Sequence, residues 1–401
     1  PHHAPPSALA PRLPTPPRLR SAFASLLLAL AQVEGPARAT EAVTTVRVPG
    51  GGIQPQIGLD DTGTQHLLYF KGDPAAGDLF HTRKSPKDTS FREPMQVNSI
   101  QGSAMALGTI RGGQMAVGTR GRVHVAWNGP APKDGGYMKA PMLYTRLNDA
   151  GTAFEPERDV ITQARGLDGG GSVAADNRGN VYVTWHAPKP GNTLGEPGRA
   201  AFVAHSRDNG QTFAPERLAL EQPTGACGCC GMKAFADNRG NLLVSYRSAT
   251  DTGQRDQLLL AARDGSLDFR ILLTHPWQVA TCPMSSTTFS SAPGAVLAAW
   301  ETAGQVYWSR LEGAALTPTP PAAPKPVGRN AKHPVVVGNS RGEVLLVWTE
   351  ETSWGKGGIV VWQRFDPAGR PRGEQERRPG LPVWSHAAAV ALPDDSFLVV
   401  Y

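Results

Sequence analysis

One recurring pattern constrains the fold of this chain more than any other feature. A short apolar segment is followed by a tight polar turn and then by a second segment that ends in an aromatic residue. The copies read "PQIGLDDTGTQHLLYF", "QMAVGTRGRVHVAW", "SVAADNRGNVYVTW", "MKAFADNRGNLLVSY", "TTFSSAPGAVLAAW", "PVVVGNSRGEVLLVW" and "AAAVALPDDSFLVVY". They are spaced by about 50 to 60 residues, and such a period in a strand-rich chain indicates radial or solenoidal stacking.

The turns inside these copies predict β-hairpins. Glycine and asparagine tolerate the positive φ angles that a tight hairpin turn requires. The turn residues are Gly63, Gly121, Gly179, Gly240, Gly294 and Gly342, with Asp394-Asp395 in the last copy. Each copy is therefore expected to contribute two antiparallel strands.

A weaker second hairpin follows each copy and completes the repeating unit. The clearest example is "AFVAHSRDNGQTFAPERL". Four strands per unit and about seven units describe a β-propeller. We predict an all-β protein, a β-propeller of four-stranded antiparallel blades, with seven blades favoured and six possible. The strand "TTVRV" near the N-terminus is expected to pair into the short last blade and close the ring, which leaves few exposed edges.

The first 39 residues have the features of an export signal. Two arginines precede an apolar run from 22 to 31, and Ala37-Arg38-Ala39 has the small-x-small form of a cleavage site. The run is too short to span a bilayer as a helix. We expect residues 1–39 to be a Pro-rich leader plus signal peptide, the alternative being an uncleaved Pro-rich tail. Residues 40–401 are predicted to form a single exported propeller domain, periplasmic or extracellular, with no membrane span in the mature form.

Export changes the charge balance of the protein. The chain carries 40 Lys and Arg against 34 Asp and Glu, a balance of +6. Removing residues 1–39 takes away four arginines and one glutamate, which leaves 36 minus 33, or +3. This excess is small and scattered, so we predict no nucleic-acid partner.

One short motif connects the chain to a known family. The segment Ser206-Arg-Asp208-Asn-Gly210-Gln-Thr212-Phe213 matches the Asp-box pattern S-x-D-x-G-x-T-[FW], and decayed copies occur in "LNDAGTAF", "ARDGSLDF" and "KSPKDTSF". The chain resembles the Asp-box (BNR) repeat proteins of the sialidase-like β-propeller superfamily over roughly residues 43–401. The resemblance implies that the box joins the third and fourth strands of a blade, on the face opposite the ligand site. Asp208 is then structural rather than catalytic.

The propeller topology predicts where a ligand would bind. The loops before the first strand and after the second strand of each blade open on one end of the central channel, which we call the channel mouth. Loops that surround one opening are the usual location of a propeller site. The predicted ligand-face residues are Arg111, Asp168, His186, Glu301 and Glu350.

All four cysteines fall in these loops. "CGCCGM" contains Cys227, Cys229 and Cys230, and "CPMSS" places Cys282 at the equivalent position of the next blade, so we expect all four to lie together. Three interpretations stay open. The first is disulfide bonding of Cys282 to one of the other three. The second is a Cu or Zn site, and the third is a free reactive thiol. Further metal ligands would come from Met232, Met284, His333 and His386.

Two function hypotheses follow from these features. The first, which we favour, is a binding protein whose channel mouth holds a metal ion, a glycan or another small molecule without turnover. The second rests on the resemblance: an exo-glycoside hydrolase of the exo-α-sialidase type, acting on sialylated or related acidic glycans. The resemblance implies arginines that bind the substrate carboxylate through two parallel hydrogen bonds. Arg247, Arg255 and Asp256 are then the candidate catalytic residues.

Overall fold

The computed structural model describes residues 43–401, except residues 264, 326, 327 and 329. The predicted leader, residues 1–39, lies outside this range, and so does residue 264 of one decayed box. Within the described residues, no helix is long and apolar enough to cross a membrane.

Short β-strands make up almost all of the regular structure. The strands are β1 (Val43–Val46), β2 (Ile53–Leu59), β3 (Gln65–Asp73), β4 (Ala76–Lys84), β5 (Met95–Gln96), β6 (Gln114–Val117), β7 (Val123–Asn128), β8 (Met142–Arg146), β9 (Arg158–Asp159), β10 (Ser172–Ala175), β11 (Val181–Pro188), β12 (Arg199–Ser206), β13 (Arg217–Leu218), β14 (Lys233–Ala236), β15 (Asn241–Arg247), β16 (Gln257–Arg263), β17 (Arg270–His275), β18 (Thr288–Ala292), β19 (Ala295–Thr302), β20 (Gln305–Glu312), β21 (Thr317–Pro318), β22 (Lys332–Gly338), β23 (Val344–Glu350), β24 (Gly358–Phe365), β25 (Pro371–Leu381), β26 (Ala388–Ala391) and β27 (Phe397–Val400). Single 3-10 turns occur at Pro49–Gly51, Thr119–Gly121, Tyr137–Lys139 and Glu196–Gly198, and the described residues contain no α-helix.

The strands form seven sheets, which are the blades of a propeller. Blades 1 to 6 each have four antiparallel strands in sequence order, from β2–β5 to β22–β25. Blade 7 contains β26, β27 and β1, and β1 runs parallel to β27 with Val43 opposite Phe397. The predicted seven-bladed all-β propeller is confirmed, and the N-terminal strand joins the last blade as expected. Blade 7 has three described strands, since β1 alone adds to the final hairpin, and it is the short blade that the sequence predicts.

The first hairpin of each blade has the backbone that its turn residues predict. The φ angles are 79° at Gly63, 70° at Gly121, 88° at Gly179, 90° at Gly240, 71° at Gly294 and 78° at Gly342. Asp395 takes φ 66° in the last blade, where the sequence has no glycine. In the "DNRGN" turn of blade 4, Asp237 accepts hydrogen bonds from the backbone N–H groups of Arg239 and Asn241 at 2.9 and 2.8 Å. The side chain thus fixes the turn locally.

The hydrophobic core lies between the blades. Seven clusters of buried apolar side chains each join two neighbouring blades. The cluster that closes the ring packs Leu398 and Val400 of blade 7 against Leu67 and Tyr69 of blade 1. The first strands contact one another around the whole circle, including β26 with β2. Each blade therefore buries its faces against its neighbours, and the ring is closed.

Four tryptophans at equivalent positions near the ends of second strands fill the space between blades. Trp127, Trp185, Trp300 and Trp348 are at most 1 % exposed. Each indole N–H donates a hydrogen bond, to Ser103 O, Ala164 O, His275 Nδ1 and Glu350 Oε1 respectively, at 2.7 to 2.9 Å. These residues therefore serve interblade packing and are not available as a platform for a sugar ring.

The segment that matches the Asp-box joins the third and fourth strands of blade 3. Ser206 Oγ accepts from Gly210 N at 2.9 Å, and Asp208 Oδ1 accepts from Thr212 N at 2.9 Å. Phe213 packs edge-on against Tyr144 of blade 2, with ring centroids 4.8 Å apart. The segment follows the end of a third strand, whereas the cysteine loops precede first strands. These two positions lie at opposite ends of the channel, so Asp208 is far from the channel mouth and holds a turn.

Truncation of a buried interblade tryptophan is expected to destabilise the ring strongly. Trp185→Ala should lower the free energy of unfolding by about 3 to 5 kcal/mol, because a large cavity forms between blades 2 and 3. Trp354, which is 60 % exposed, provides the matched control, and Trp354→Ala should change stability by no more than roughly 0.5 kcal/mol. Urea unfolding monitored by circular dichroism measures the change in the free energy of unfolding for both variants. Equal losses in the two variants would contradict this account of the core.

Candidate metal site at the channel mouth

Two loops from neighbouring blades carry the four cysteines. Residues 227–230 precede β14 of blade 4, and Cys282 precedes β18 of blade 5. Cys227 N donates to Arg247 O at 2.9 Å, which fixes the first loop to the second strand of its own blade. Gly231 N donates to Ser285 O at 2.8 Å, which joins this loop to the one that carries Cys282. The backbone thus holds the two loops against each other.

Two glycines allow the first cysteine loop to pack this closely. Gly225 has φ 61°, and a Cβ there would lie 1.9 Å from Ala249 O. A Cβ on Gly228 would lie 2.4 Å from Asp168 Oδ2. A side chain at position 225 would displace the loop, because it would meet backbone and strain the positive φ, whereas one at position 228 would displace the Asp168 and Arg199 side chains.

Three of the four thiols gather around one carboxylate. The Sγ atoms of Cys227, Cys229 and Cys282 and a carboxylate oxygen of Glu196 all lie within 4.8 Å of one another. We call this group the thiol–carboxylate cluster. The fourth sulfur, Cys230 Sγ, lies 3.4 Å from Cys227 Sγ, and all four cysteines are free thiols in the structure. The fold thus brings Cys282 to cysteines that are about fifty residues away in the sequence.

Glu196 is the member of the cluster that sequence reasoning missed. It begins the 3-10 turn between β11 and β12 of blade 3. This loop follows a second strand, so the sequence argument places it at the channel mouth, but that argument did not single out Glu196. Glu196 Oε1 accepts from Gly228 N at 2.6 Å, and Oε2 lies 2.8 Å from Arg255 Nη2. The turn sequence Gly195-Glu196-Pro197-Gly198 is the one local signal of an acidic group at this point.

Two arginines make the surroundings of the cluster electropositive. Burial acts against the charge of Arg255, but Glu196 and the sulfurs of Cys227 and Cys282 raise its pKa above the ordinary value. Burial would also raise the pKa of Cys230. The thiols of Cys227 and Cys229 and the Arg247 guanidinium overcome that effect and lower the pKa of Cys230 well below its usual range. The Cys229 contact acts to lower the pKa of Cys227, but the Cys230 sulfur and burial raise it, and the contacts with Cys227 and Cys230 together with burial raise the pKa of Cys229. Without a bound ion, the negative charge of these three sulfurs therefore rests on Cys230. Metal binding to Cys227 and Cys229 would release their protons.

The residues predicted to be catalytic make contacts within the protein. Arg247 is 3 % exposed. Its Nη1 donates to Arg255 O at 2.9 Å, its Nη2 donates to Glu301 O, and its guanidinium lies 5.1 Å from the Trp277 ring centroid. Asp256 accepts a hydrogen bond from Trp277 N at 3.0 Å. Arg247 and Arg255 do lie at the channel mouth, but their guanidinium groups are engaged with the protein's own carboxylates and carbonyls.

The five predicted ligand-face residues differ in their exposure. His186, Glu301 and Glu350 are buried, and the Glu350 carboxylate accepts hydrogen bonds from Trp348 and Arg377. The Asp168 side chain is 43 % exposed and lies 3.6 Å from Arg111 Nη2 and 3.3 Å from Arg199 Nη1. Arg111 and Asp168 therefore keep contact with solvent at the mouth, whereas the other three serve the packing around it.

The methionines and histidines predicted as further metal ligands lie with other groups. Met232 packs in the apolar core between blades 3 and 4. Met284 borders a cavity of about 40 Å³ together with His333. His333 and His386 have ring centroids 6.2 Å apart and line the central channel. Neither histidine belongs to the thiol–carboxylate cluster, because both rings line the central cavity instead.

Comparison with known proteins gives a likeness of fold. Family models show no match to this chain, and curated protein sequences show none either. An α-L-arabinofuranosidase from Fusarium graminearum superposes with a TM-score of 0.52 at 11 % identity, over 79 % of this chain and 93 % of that one. A Hadza microbial sialidase gives 0.51 at 12 % identity, over 79 % and 69 %. A Trypanosoma rangeli sialidase gives 0.51 at 11 %, over 78 % and 56 %. At such identities the likeness shows the propeller fold alone.

Glu301 is expected to make stability depend on pH. Burial raises the pKa of Glu301 to about 7, although the Arg247 guanidinium acts to lower it. The folded state therefore binds this proton more tightly than the unfolded state, whose pKa is near the ordinary value of 4.5. The resulting stability is fully present below about pH 4.5 and is lost as the pH rises through 7.

Replacing the Glu301 carboxyl by an amide should remove this pH dependence of stability. The free energy of unfolding of the wild type, relative to Glu301→Gln, should fall by roughly 3 kcal/mol between pH 4.5 and pH 8. Urea unfolding of both proteins at several pH values measures the difference. A difference that stays constant across this range would show that Glu301 has an ordinary pKa in the folded protein.

Proposed function

We propose that this propeller is an exported metal-binding protein whose site is the thiol–carboxylate cluster. The observation that supports it is the convergence of the ligand atoms of Cys227, Cys229, Cys282 and Glu196 to within 4.8 Å of one another. Around a tetrahedral zinc ion with Zn–S bonds of about 2.3 Å, the sulfurs are about 3.8 Å apart. The 3.4 Å between Cys227 Sγ and Cys229 Sγ is close to that spacing before any metal is bound.

The chemistry of the ligands favours Zn(II), with Cu(I) as the second candidate. Thiolates suit both ions, whereas a carboxylate oxygen suits zinc better than monovalent copper. Glu196 is oriented by Gly228 N and Arg255, as metal-binding carboxylates usually are by neighbouring donors. Four protein ligands leave no open position on a tetrahedral ion, which is typical of sites that bind a metal without turning over a substrate.

A disulfide is the competing use of the same sulfurs. Cys282 lies near enough to Cys227 and Cys229 for either pair to oxidise after a small movement, and export would permit this chemistry. A disulfide, however, needs no carboxylate. Dependence of the site on Glu196 therefore separates the two interpretations.

A sialidase-like hydrolase is less well supported by the contacts at the mouth. Arg247 and Arg255 donate hydrogen bonds to, or pair with, Glu301 and Glu196. To bind a substrate carboxylate, Arg247 would have to leave the buried Glu301 and Arg255 would have to leave the partly exposed Glu196, and breaking the buried pair is costly. A glycan is better matched to the exposed Trp354, which stacks edge-on against Trp384 with ring centroids 5.6 Å apart.

Metal analysis of the purified protein tests the proposal. Protein prepared without oxygen and without chelators should contain one zinc or copper ion per chain by mass spectrometry. Cys282→Ser and Glu196→Gln should each weaken binding by at least about tenfold, because each removes a ligand. Cys230→Ser is the matched control, since that sulfur lies outside the cluster, and it should keep the metal.

Two results would contradict the proposal. Protein that is free of metal, and in which no thiol titrates, would contain disulfides instead. Release of the fluorophore from a fluorogenic sialoside, abolished in Arg247→Ala, would assign the mouth to glycoside hydrolysis.

A further inference from the structure

A second polar site lies inside the ring, below the cysteine loops. A cavity of about 390 Å³ lies among the first strands of the blades. Its polar lining includes Lys233, Gln56, Gln114, His333 and His386, and much of its remaining wall is apolar. None of these groups belongs to the thiol–carboxylate cluster.

Lys233 places an ammonium group in this cavity without an acidic partner. Its Nζ donates to Gln56 Oε1 and to Gln114 Oε1, both at 3.1 Å. The lysine opens β14 of blade 4, whereas the two glutamines belong to blades 1 and 2, so the ammonium reaches across the channel. Both acceptors are neutral amides, and among the described residues no carboxylate forms an ion pair with Nζ. The third N–H of the ammonium also has no acceptor within these residues.

The other ionisable groups of the cavity do not compensate this charge. Burial lowers the pKa of His333 to about 3 and that of His386 to about 4, so both rings are neutral at pH 7. Asp61 and Asp176 border an adjoining cavity of about 320 Å³ toward the other end of the channel, and neither pairs with Lys233. Burial alone lowers the pKa of Lys233 to about 8, as expected for a cation that has lost water without gaining an anion.

An anion in the cavity would remove this imbalance. Lys233 is partly buried, and a cation that has lost part of its water is stabilised by an opposite charge. The unused N–H of Lys233 points to where such a group would bind. Ser286 Oγ, 3.0 Å from His333 Nδ1, and Thr109 Oγ1, 3.4 Å from His333 Nε2, add hydroxyl groups to the same cavity. Phe235, Phe289 and Val335 supply apolar wall.

We propose that the central cavity binds a small organic carboxylate, with Lys233 as its counter-cation. One cation matches a single negative charge, and the apolar walls suit the carbon skeleton of the ligand better than they suit chloride or sulfate. The volume is within the usual range of small-molecule sites, about 300 to 1,000 Å³, and it admits a molecule of about the size of a uronic acid. Gln56 and Gln114 position the ammonium.

Isothermal titration calorimetry with D-glucuronate tests this assignment on the full chain. Glucuronate should bind, whereas glucose, its neutral analogue, should bind at least about tenfold more weakly, because only the carboxylate pairs with the lysine. The Lys233→Met substitution should lower the affinity for glucuronate by at least about tenfold. Lys332→Met is the matched control. That lysine also lies near the mouth, but its Nζ donates to Pro283 O at 2.7 Å, and its loss should leave binding unchanged.

A second variant keeps the test meaningful if Lys233→Met fails to fold. Gln56→Glu retains the lysine and places a carboxylate next to its Nζ. This variant should be more stable to heat than the wild type and should also lose glucuronate binding. Retained binding in Gln56→Glu, or equal binding by the wild type and Lys233→Met, would overturn the proposal. So would chloride or sulfate binding as tight as that of glucuronate, or no glucuronate binding up to about 50 mM.

Discussion

The burial of each blade against its two neighbours is the interaction on which the rest of this structure depends. A small sheet of short strands cannot bury both of its faces alone, and a closed ring gives every blade two partners. The tryptophans at equivalent positions and the Leu398–Val400 contact with blade 1 complete that ring. Because the blades pack side by side, the loops of neighbouring blades meet at one opening, and for this reason Cys282 lies beside Cys227 and Cys229.

The sequence predicted the scaffold because its signals are local and repeated. A glycine such as Gly179, with φ 88°, marks the hairpin turn in its copy of the repeat, and seven copies of one sequence pattern define the seven blades. The sequence did not predict whether β1 runs parallel or antiparallel to β27, since an apolar strand of four residues can pair in either direction. The approach of the cysteines followed from topology, because the loops before first strands of adjacent blades must be neighbours.

The chemistry of the sites depends on side-chain direction, which the repeat does not encode. Glu196 lies in a loop that the topology places at the mouth, but only the structure shows that its carboxylate reaches the thiols of the next two blades. Lys233 is an ordinary strand residue in the sequence, and only the ring shows that its Nζ crosses the channel to Gln56 and Gln114. Arg247 was placed at the mouth from the sequence, but its burial against Glu301 gives it an internal partner. In each of these cases the role of a charged side chain depends on the groups that face it from another blade.

X-ray absorption spectroscopy of the purified protein at the metal edge tests the central claim most directly, because it reports the atoms bound to the ion. The account predicts three sulfur neighbours at about 2.3 Å and one oxygen neighbour at about 2.0 Å. Coordination by nitrogen and oxygen alone, or by a single sulfur, would contradict the claim that the closed ring assembles a thiol–carboxylate metal site at its mouth.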